Sequence, residues 1–264
     1  MRARKTGHPA ASRVTPTARQ VMVVAAAREI RDGEVVFVGM RLPLLGFALA
    51  KATHAPRAVG LFENGVVRDT PPAGALITMG DPPNIVGAVM CTTLLEVMGH
   101  LARGRVDVGF LGGAQVDRFG NLNTTWVEER GRRVRLPGSG GAADIAALSR
   151  RTVVIMQHER RRFPERVGYL TSPGYGGGGG WREEVGLARG GPARVITSLA
   201  VLGFASGSHE MVLESVHPGV TVEDVRAQTG WDLAVAPRLE TTPAPTAEEL
   251  AVLRRFDPAG TWTG

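Results

Sequence analysis

Cysteine is almost absent from this chain. Cys91 stands alone, so no internal disulfide can form. A lone thiol suits a reducing compartment, and the cytoplasm is the expected setting. Lysine occurs only at Lys5 and Lys51, so nearly all of the positive charge behind the formal +6 is arginine. That excess favours anionic partners, a phosphorylated cofactor among them, although a solvated basic surface is the plainer reading. Aromatic residues make up only 5% of the chain, and no basic stripe carries interleaved rings, which argues against nucleic-acid binding. No apolar run reaches the roughly 18 residues of a membrane-spanning helix, so no membrane role is expected. Histidines 100, 158, 209 and 217 are scattered and no His/Cys/Asp spacing resembles a zinc site, so no metal is expected. The Gly-x-Ser-x-Gly elbow of serine hydrolases is missing as well.

With 264 residues, 43% of them hydrophobic, the chain can bury a core without disulfides or metal. Met1 to Ala18 is basic, rich in Ala, Thr and Pro, and lacks an apolar centre. It reads as a disordered basic leader before a single domain over 19–264. From there, short valine-rich runs alternate with helical stretches. Helices are expected at Ala18–Ile30, Pro43–Thr53 and Thr92–Ala102, and a capped one opens at Thr221. Strands are expected at Glu34–Val38, Ala58–Phe62, Val106–Leu111, Thr152–Met156 and Ala193–Val201. Asp81–Asn84, with two prolines, reads as a loop. Strands separated by helices imply an α/β fold with an open, mostly parallel layered sheet flanked by helices. Gly112–Gly141 is more irregular, with antiparallel or mixed strands, and the Gly176–Gly180 run reads as a mobile loop.

Three stretches carry chemistry. Glu63 directly follows the apolar run Ala58-Val59-Gly60-Leu61-Phe62 and precedes the turn signal Asn64-Gly65. In an open α/β sheet, ligands gather at the carboxyl ends of parallel strands. A carboxylate placed there is either a solvated loop residue or a covalent nucleophile toward an activated acyl group. The second stretch is Leu136-Pro137-Gly138-Ser139-Gly140-Gly141-Ala142-Ala143-Asp144. Its glycines let backbone N–H groups approach a ligand just before a helix, where negative charge is favoured. It fits neither the dinucleotide Gly-x-Gly-x-x-Gly pattern nor a phosphate loop, and a plain glycine-rich turn is equally consistent with it. The third runs from Gly112 to Asn123, and its plain reading is a hairpin with an Asp117–Arg118 surface pair.

Together these stretches resemble the B (β) subunit of class I coenzyme A transferases, the glutaconate CoA-transferase type in particular. The matching pieces, in order, are Val36-Phe37-Val38-Gly39-Met40 with Leu42-Pro43, Glu63-Asn64-Gly65, Leu111 to Asn123, and Gly138 to Asp144. Tyr169 to Gly174 and His217-Pro218-Gly219-Val220 complete the series. The resemblance implies that Glu63 attacks an acyl-CoA and passes through an enzyme–CoA thioester in a ping-pong exchange with a second carboxylic acid. It implies that Gly138, Gly140 and Gly141, with Asn64 and Gly65, serve the oxyanion or approach CoA. Arg135 is a further candidate for CoA phosphates. No cofactor would be bound permanently, because CoA is both substrate and covalent intermediate. The expected partner is a homologous A (α) subunit, in a hetero-oligomer of heterotetramer type. The acids implied are of the glutaconate, 3-oxoadipate or other 3-oxoacid type. Some relatives lack the motif glutamate and hydrolyse cyclic CoA esters, and Glu63 counts against that activity here. Two alternatives stand beside the transferase: a CoA-ester hydrolase on the same fold, and a non-catalytic ligand-binding module.

Overall fold

Valine-rich runs buried on both faces make the centre of this protein a parallel sheet. The computed structural model describes residues 15–187 and 189–264. Residues 1–14 of the expected leader lie outside them. Ala18 opens the first helix, and the Thr17 hydroxyl caps it by accepting from the Gln20 amide at 3.1 Å.

The first half of the chain contributes α1 (Ala18–Arg28), β1 (Val35–Val38), α2 (Leu42–Ala52), β2 (Val59–Phe62) and β3 (Val66–Arg68). Next come α3 (Pro82–Ile85), β4 (Met90–Cys91), α4 (Leu94–Ala102) and β5 (Val108–Leu111). Two short ribbons follow, β6 (Gln115–Val116) with β7 (Leu122–Asn123), and β8 (Trp126–Glu129) with β9 (Arg132–Arg135). After α5 (Ala142–Leu148) and β10 (Arg151–Met156) comes α6 (Trp181–Glu184), then β11 (Pro192–Thr197), β12 (Ala200–Phe204) and β13 (Met211–Val216). The chain closes with α7 (Val222–Ala227), β14 (Ala234–Thr241) and α8 (Ala247–Phe256).

Ten strands form one sheet in the order β14-β13-β12-β11-β10-β5-β1-β2-β3-β4. The five central strands, β11 to β2 in that order, are all parallel, and antiparallel pairs flank them on both sides. One face packs on α1, α2 and α8 through Met22, Phe47, Phe62, Leu253 and Phe256. The other packs on α4, α5 and α7 through Leu61, Val97, Leu101, Ile145 and Val225. Side chains alternate between faces along a strand, so Leu61 and Phe62 point to opposite layers, and Glu63 follows on the α4/α5 side.

The expected α/β architecture is therefore present, with four local differences. Asp81–Asn84 is not a loop throughout: Pro82 and Pro83 occupy the first turn of α3, where a missing N–H costs nothing. Ala193–Val201 is two antiparallel strands rather than one. Between them the Thr197 hydroxyl accepts from the amides of Leu199 and Ala200 and turns the chain back. The Gly176–Gly180 run is not a free excursion. The Asn121 side chain holds both the N–H and the carbonyl of Gly176, and the Gly179 N–H donates to the Ser208 carbonyl at 3.0 Å. The Asp117–Arg118 surface pair does not form. Asp117 is 1% exposed and accepts from the amides of Phe119, Asn121 and Val167, while Arg118 reaches outward to Glu165 at 3.0 Å. Burial pushes the Asp117 carboxyl up, against the pull of those N–H donors. The stretch from Asp117 to Asn121 is thus a scaffold that anchors the glycine-rich loop.

No helix among the described residues is long and apolar enough to cross a membrane.

Candidate active site

Glu63 directly follows β2 at the rim of the sheet and is half-buried. It stays in place because the next two residues make a tight turn. The Gly65 N–H donates to the Phe62 carbonyl at 2.9 Å, and the Gly65 carbonyl accepts from the Thr92 amide at 2.8 Å. Gly65 has φ +94°, and a Cβ there would stand 2.1 Å from the Thr92 carbonyl oxygen. Only glycine fits that corner. Asn64 is exposed and serves the same turn: its Oδ1 accepts from the Val66 amide at 3.4 Å, and its Nδ2 donates to the Met79 carbonyl at 3.0 Å.

The loop 138–141 comes to meet this carboxylate from 78 residues further along the chain. The Gly141 N–H donates to Glu63 Oε1 at 3.2 Å, and Gly141 is the residue that caps α5. A Cβ on Gly141 would lie 3.1 Å from that oxygen and 3.4 Å from the methyl of Met98, so a larger residue would press on the carboxylate. Gly140 stands next to it, with its Cβ position 3.8 Å from the same oxygen. Gly138 is already engaged, since its N–H donates to the Thr124 carbonyl at 2.8 Å. Of the five residues grouped with Glu63 from the sequence, Gly140 and Gly141 flank its carboxylate, Asn64 and Gly65 shape its turn, and Gly138 secures the loop. A carboxylate on a rigid strand end, facing the Gly141 amide at a helix start, has the parts of a nucleophile beside an oxyanion-stabilising group.

Arg135 lies on the exposed β8–β9 ribbon, where Arg133 stacks 4.0 Å over the Trp126 ring. Beside Glu63, the sheet edge is strongly apolar. Val86, Val89 and Met90 around β4 are exposed, as are Leu94 and Leu95 on α4, with Leu95 at 79%.

Sequence reasoning missed two parts of this region. Met98, which borders Gly141, reads only as one more apolar residue of α4. A cavity of about 510 Å³ lies one strand over from Glu63, at the ends of β1, β5 and β10, and Glu63 is not in its wall. Gly39, Arg41 and Gly112 line it. The motif pieces Val36–Met40 and Leu111–Gly113 point to this place, but their adjacency depends on β1 and β5 pairing, which spacing alone does not reveal.

His158 and His217 are structural. Each is within 3.1 Å of threonine oxygens, and His158 stacks on Phe163 with ring centres 4.0 Å apart. Burial lowers the His158 imidazole to about 4, with added repulsion from His217, which burial lowers as well. The folded state thus keeps His158 neutral where the unfolded chain takes up a proton. Stability is full above the ordinary value near 6.5 and is lost as pH falls from there toward 4. Between pH 7 and 5, His158 alone is expected to remove about 2 kcal/mol, or roughly 4–8 °C of thermal midpoint. Thermal melts over that range should fall less steeply for His158→Gln, and an unchanged slope would assign the acid sensitivity to other groups.

Residues 19–228 match the family profile described as Coenzyme A transferase. The B-type subunit of 3-oxoadipate CoA-transferase from Pseudomonas knackmussii is 40% identical over 240 residues, covering 90% of this chain and 92% of the relative. The crystal structure of glutaconate coenzyme A-transferase from Acidaminococcus fermentans matches with a TM-score of 0.87 at 33% identity, covering 94% of this chain and 97% of that one. The cholesterol ring-cleaving hydrolase IpdB subunit of Mycobacterium tuberculosis is 32% identical over 251 residues, covering 90% of this chain and 93% of the relative.

Proposed function

This chain belongs to the coenzyme A transferase family as a subunit of the B type, and from that premise we propose that Glu63 is the carboxylate that carries CoA between two acyl groups. The observation that supports this most directly is the approach of the Gly141 N–H to Glu63 Oε1 at the rim of the parallel sheet.

The chemistry balances without a cofactor. The Glu63 carboxylate attacks the thioester carbonyl of an acyl-CoA and expels CoA thiolate, leaving a mixed anhydride on the enzyme. The thiolate returns to the glutamyl carbonyl and expels the first carboxylate, which gives a glutamyl–CoA thioester. A second carboxylate then attacks that thioester, and the same two steps run in reverse to release a new acyl-CoA. Each step passes through a tetrahedral oxyanion, where one well-placed N–H donor is worth about 2.7–4 kcal/mol. Gly141 and Gly140 are the donors proposed for that charge, with Gly138, Asn64 and Gly65 holding the two loops that frame it. In this reading CoA is substrate and covalent intermediate, and no cofactor is bound permanently. The acids exchanged are of the glutaconate, 3-oxoadipate or other 3-oxoacid type, in line with the named relatives. The working enzyme pairs this chain with a homologous A-type partner, and the exposed apolar row from Val86 to Leu95 suits burial under that partner. We assign it to the reducing cytoplasm, where Cys91 stays a thiol.

The hydrolase relative keeps a second reading in view, in which water takes the place of the acceptor acid. Intact and peptide mass spectrometry on the chain co-purified with its A-type partner separates the two. With acyl-CoA and no acceptor, a CoA adduct should appear on the Glu63 peptide and be absent from Glu63→Ala. Catalytic release of free CoA without any adduct would replace the transferase reading with the hydrolase one.

A further inference from the structure

The cavity beside Glu63 lies at the point where the sheet changes winding direction. The chain leaving β1 crosses through α2 to β2 on one side, while the chain leaving β5 runs through α5 to β10 on the other. Between the carboxyl ends of two such strands a crevice opens, and ligands of α/β sheets bind there. Here the crevice measures about 510 Å³. Met22, Pro43, Phe110 and Ile155 give part of its lining an apolar character. Arg19, Arg41 and Arg162 also line it, and no Asp or Glu does. Such a site attracts an anion carried on a hydrocarbon chain.

Arg41 is the most unusual of the three. Its backbone has φ 64° and ψ −115°, a conformation that favours glycine and that a bulky residue adopts only under strain. Among the described residues it has no carboxylate partner. Its guanidinium lies 5.7 Å over the Trp262 ring, and the Trp262 Nε1–H is itself fixed to the Leu76 carbonyl at 3.1 Å. A planar donor fork therefore stands on a fixed aromatic shelf at the cavity. Glu63 is close by. Val38 pairs with Phe62, so Gly39 in the cavity wall and Glu63 end neighbouring strands, about 5 Å apart at the backbone.

We propose that Arg41 is a specificity-determining residue that binds the far carboxylate of a dicarboxylic acyl chain whose thioester carbonyl sits at Glu63. The proposal rests on the reading of Glu63 as the CoA-carrying residue. The apolar part of the lining accommodates the intervening methylenes, and a guanidinium–carboxylate pair supplies the charge-assisted bidentate contact. CoA phosphates carry the same kind of charge, so the test must hold the CoA moiety constant.

The test uses the complex with the A-type partner and two donors of equal chain length, adipoyl-CoA and hexanoyl-CoA. The readout is the ratio of their apparent second-order rate constants for forming the CoA adduct on Glu63. Wild type should prefer adipoyl-CoA by about 10- to 100-fold, the range expected for a charged hydrogen-bonded pair. Arg41→Gly should bring the ratio near one, and Arg41→Lys should fall between, since it keeps the charge and loses the fork. Arg41→Gly also relieves the positive φ, so its thermal midpoint should equal or exceed that of wild type, which separates lost recognition from lost folding. An adduct that forms with no preference in wild type overturns the proposal. So does a preference that survives in Arg41→Gly while both rates fall together, which is the pattern of a contact to CoA itself. Absence of any adduct in wild type with either donor overturns the Glu63 reading and this proposal with it.

Discussion

Replacing Glu63 with Gln is expected to lower the CoA-transfer rate of the assembled enzyme by on the order of 10⁴-fold or more while leaving the subunit folded and paired. An amide oxygen is a poor nucleophile, so neither the mixed anhydride nor the glutamyl–CoA thioester can form on that side chain. Little stability should be lost. Glu63 is half-buried, its one hydrogen bond among the described residues comes from the Gly141 N–H, and Gln keeps an oxygen to accept it. Glu63→Asp keeps the charge but withdraws it by one methylene. Misplacement of about 1 Å costs roughly 10²-fold, so the aspartate variant should fall well between wild type and Gln. Steady-state CoA exchange between two acids, with thermal melts of each variant, reads both quantities. Retention of more than a few per cent of the wild-type rate by Glu63→Gln would remove this residue from the covalent path, whatever its position at the sheet rim.

Much of this arrangement was legible in the sequence, for reasons that can be named. Val35–Val38, Val59–Phe62 and Val108–Leu111 are short apolar runs of the kind that parallel strands buried on both faces require, so their existence and type follow from composition and punctuation. Glu63 was findable because a polar residue breaks such a run and Asn64-Gly65 then turns the chain. The meeting of Glu63 with Gly141 was not legible from periodicity. It needs β1 to pair with both β2 and β5, so that α5 starts beside the end of β2. The same pairing makes the crevice that holds Arg41, and no local pattern encodes it. Asp117 misled for a different reason. An Asp followed by an Arg suggests a surface pair, yet the backbone amides of Phe119, Asn121 and Val167 are stronger claimants for a carboxylate drawn inside. The strand expected over Ala193–Val201 failed because Ser198 and Leu199 reverse the chain through the Thr197 hydroxyl, a turn that the apolar pieces Val195-Ile196 and Leu199-Ala200-Val201 on either side conceal.

The turn after Glu63 supplies the second large effect, and it acts through geometry alone. In Gly65→Ala the new methyl would have to occupy space 2.1 Å from the Thr92 carbonyl oxygen, at a backbone φ of +94° that alanine resists. The backbone penalty alone is about 1–3 kcal/mol. Because the clash is with main chain rather than a flexible side chain, relief requires β4 to move away or the turn to unwind. Either motion breaks the bond between the Gly65 carbonyl and the Thr92 amide and lets Glu63 swing from the Gly141 N–H. The variant should therefore lose on the order of 3 kcal/mol or more of stability, and its surviving folded fraction should lose roughly 10²-fold in transfer rate. Asn64→Ala is the matched contrast. Asn64 is exposed and gives up its bond to the Met79 carbonyl and the long 3.4 Å bond from the Val66 amide, so about 1 kcal/mol is expected and the transfer rate should change little. Denaturant unfolding and CoA exchange on the two variants side by side measure the difference. Equal behaviour of the two, or an alanine at 65 as stable and as active as wild type, would mean that the rim of the sheet yields easily and that Glu63 is aimed by the partner subunit rather than by its own turn.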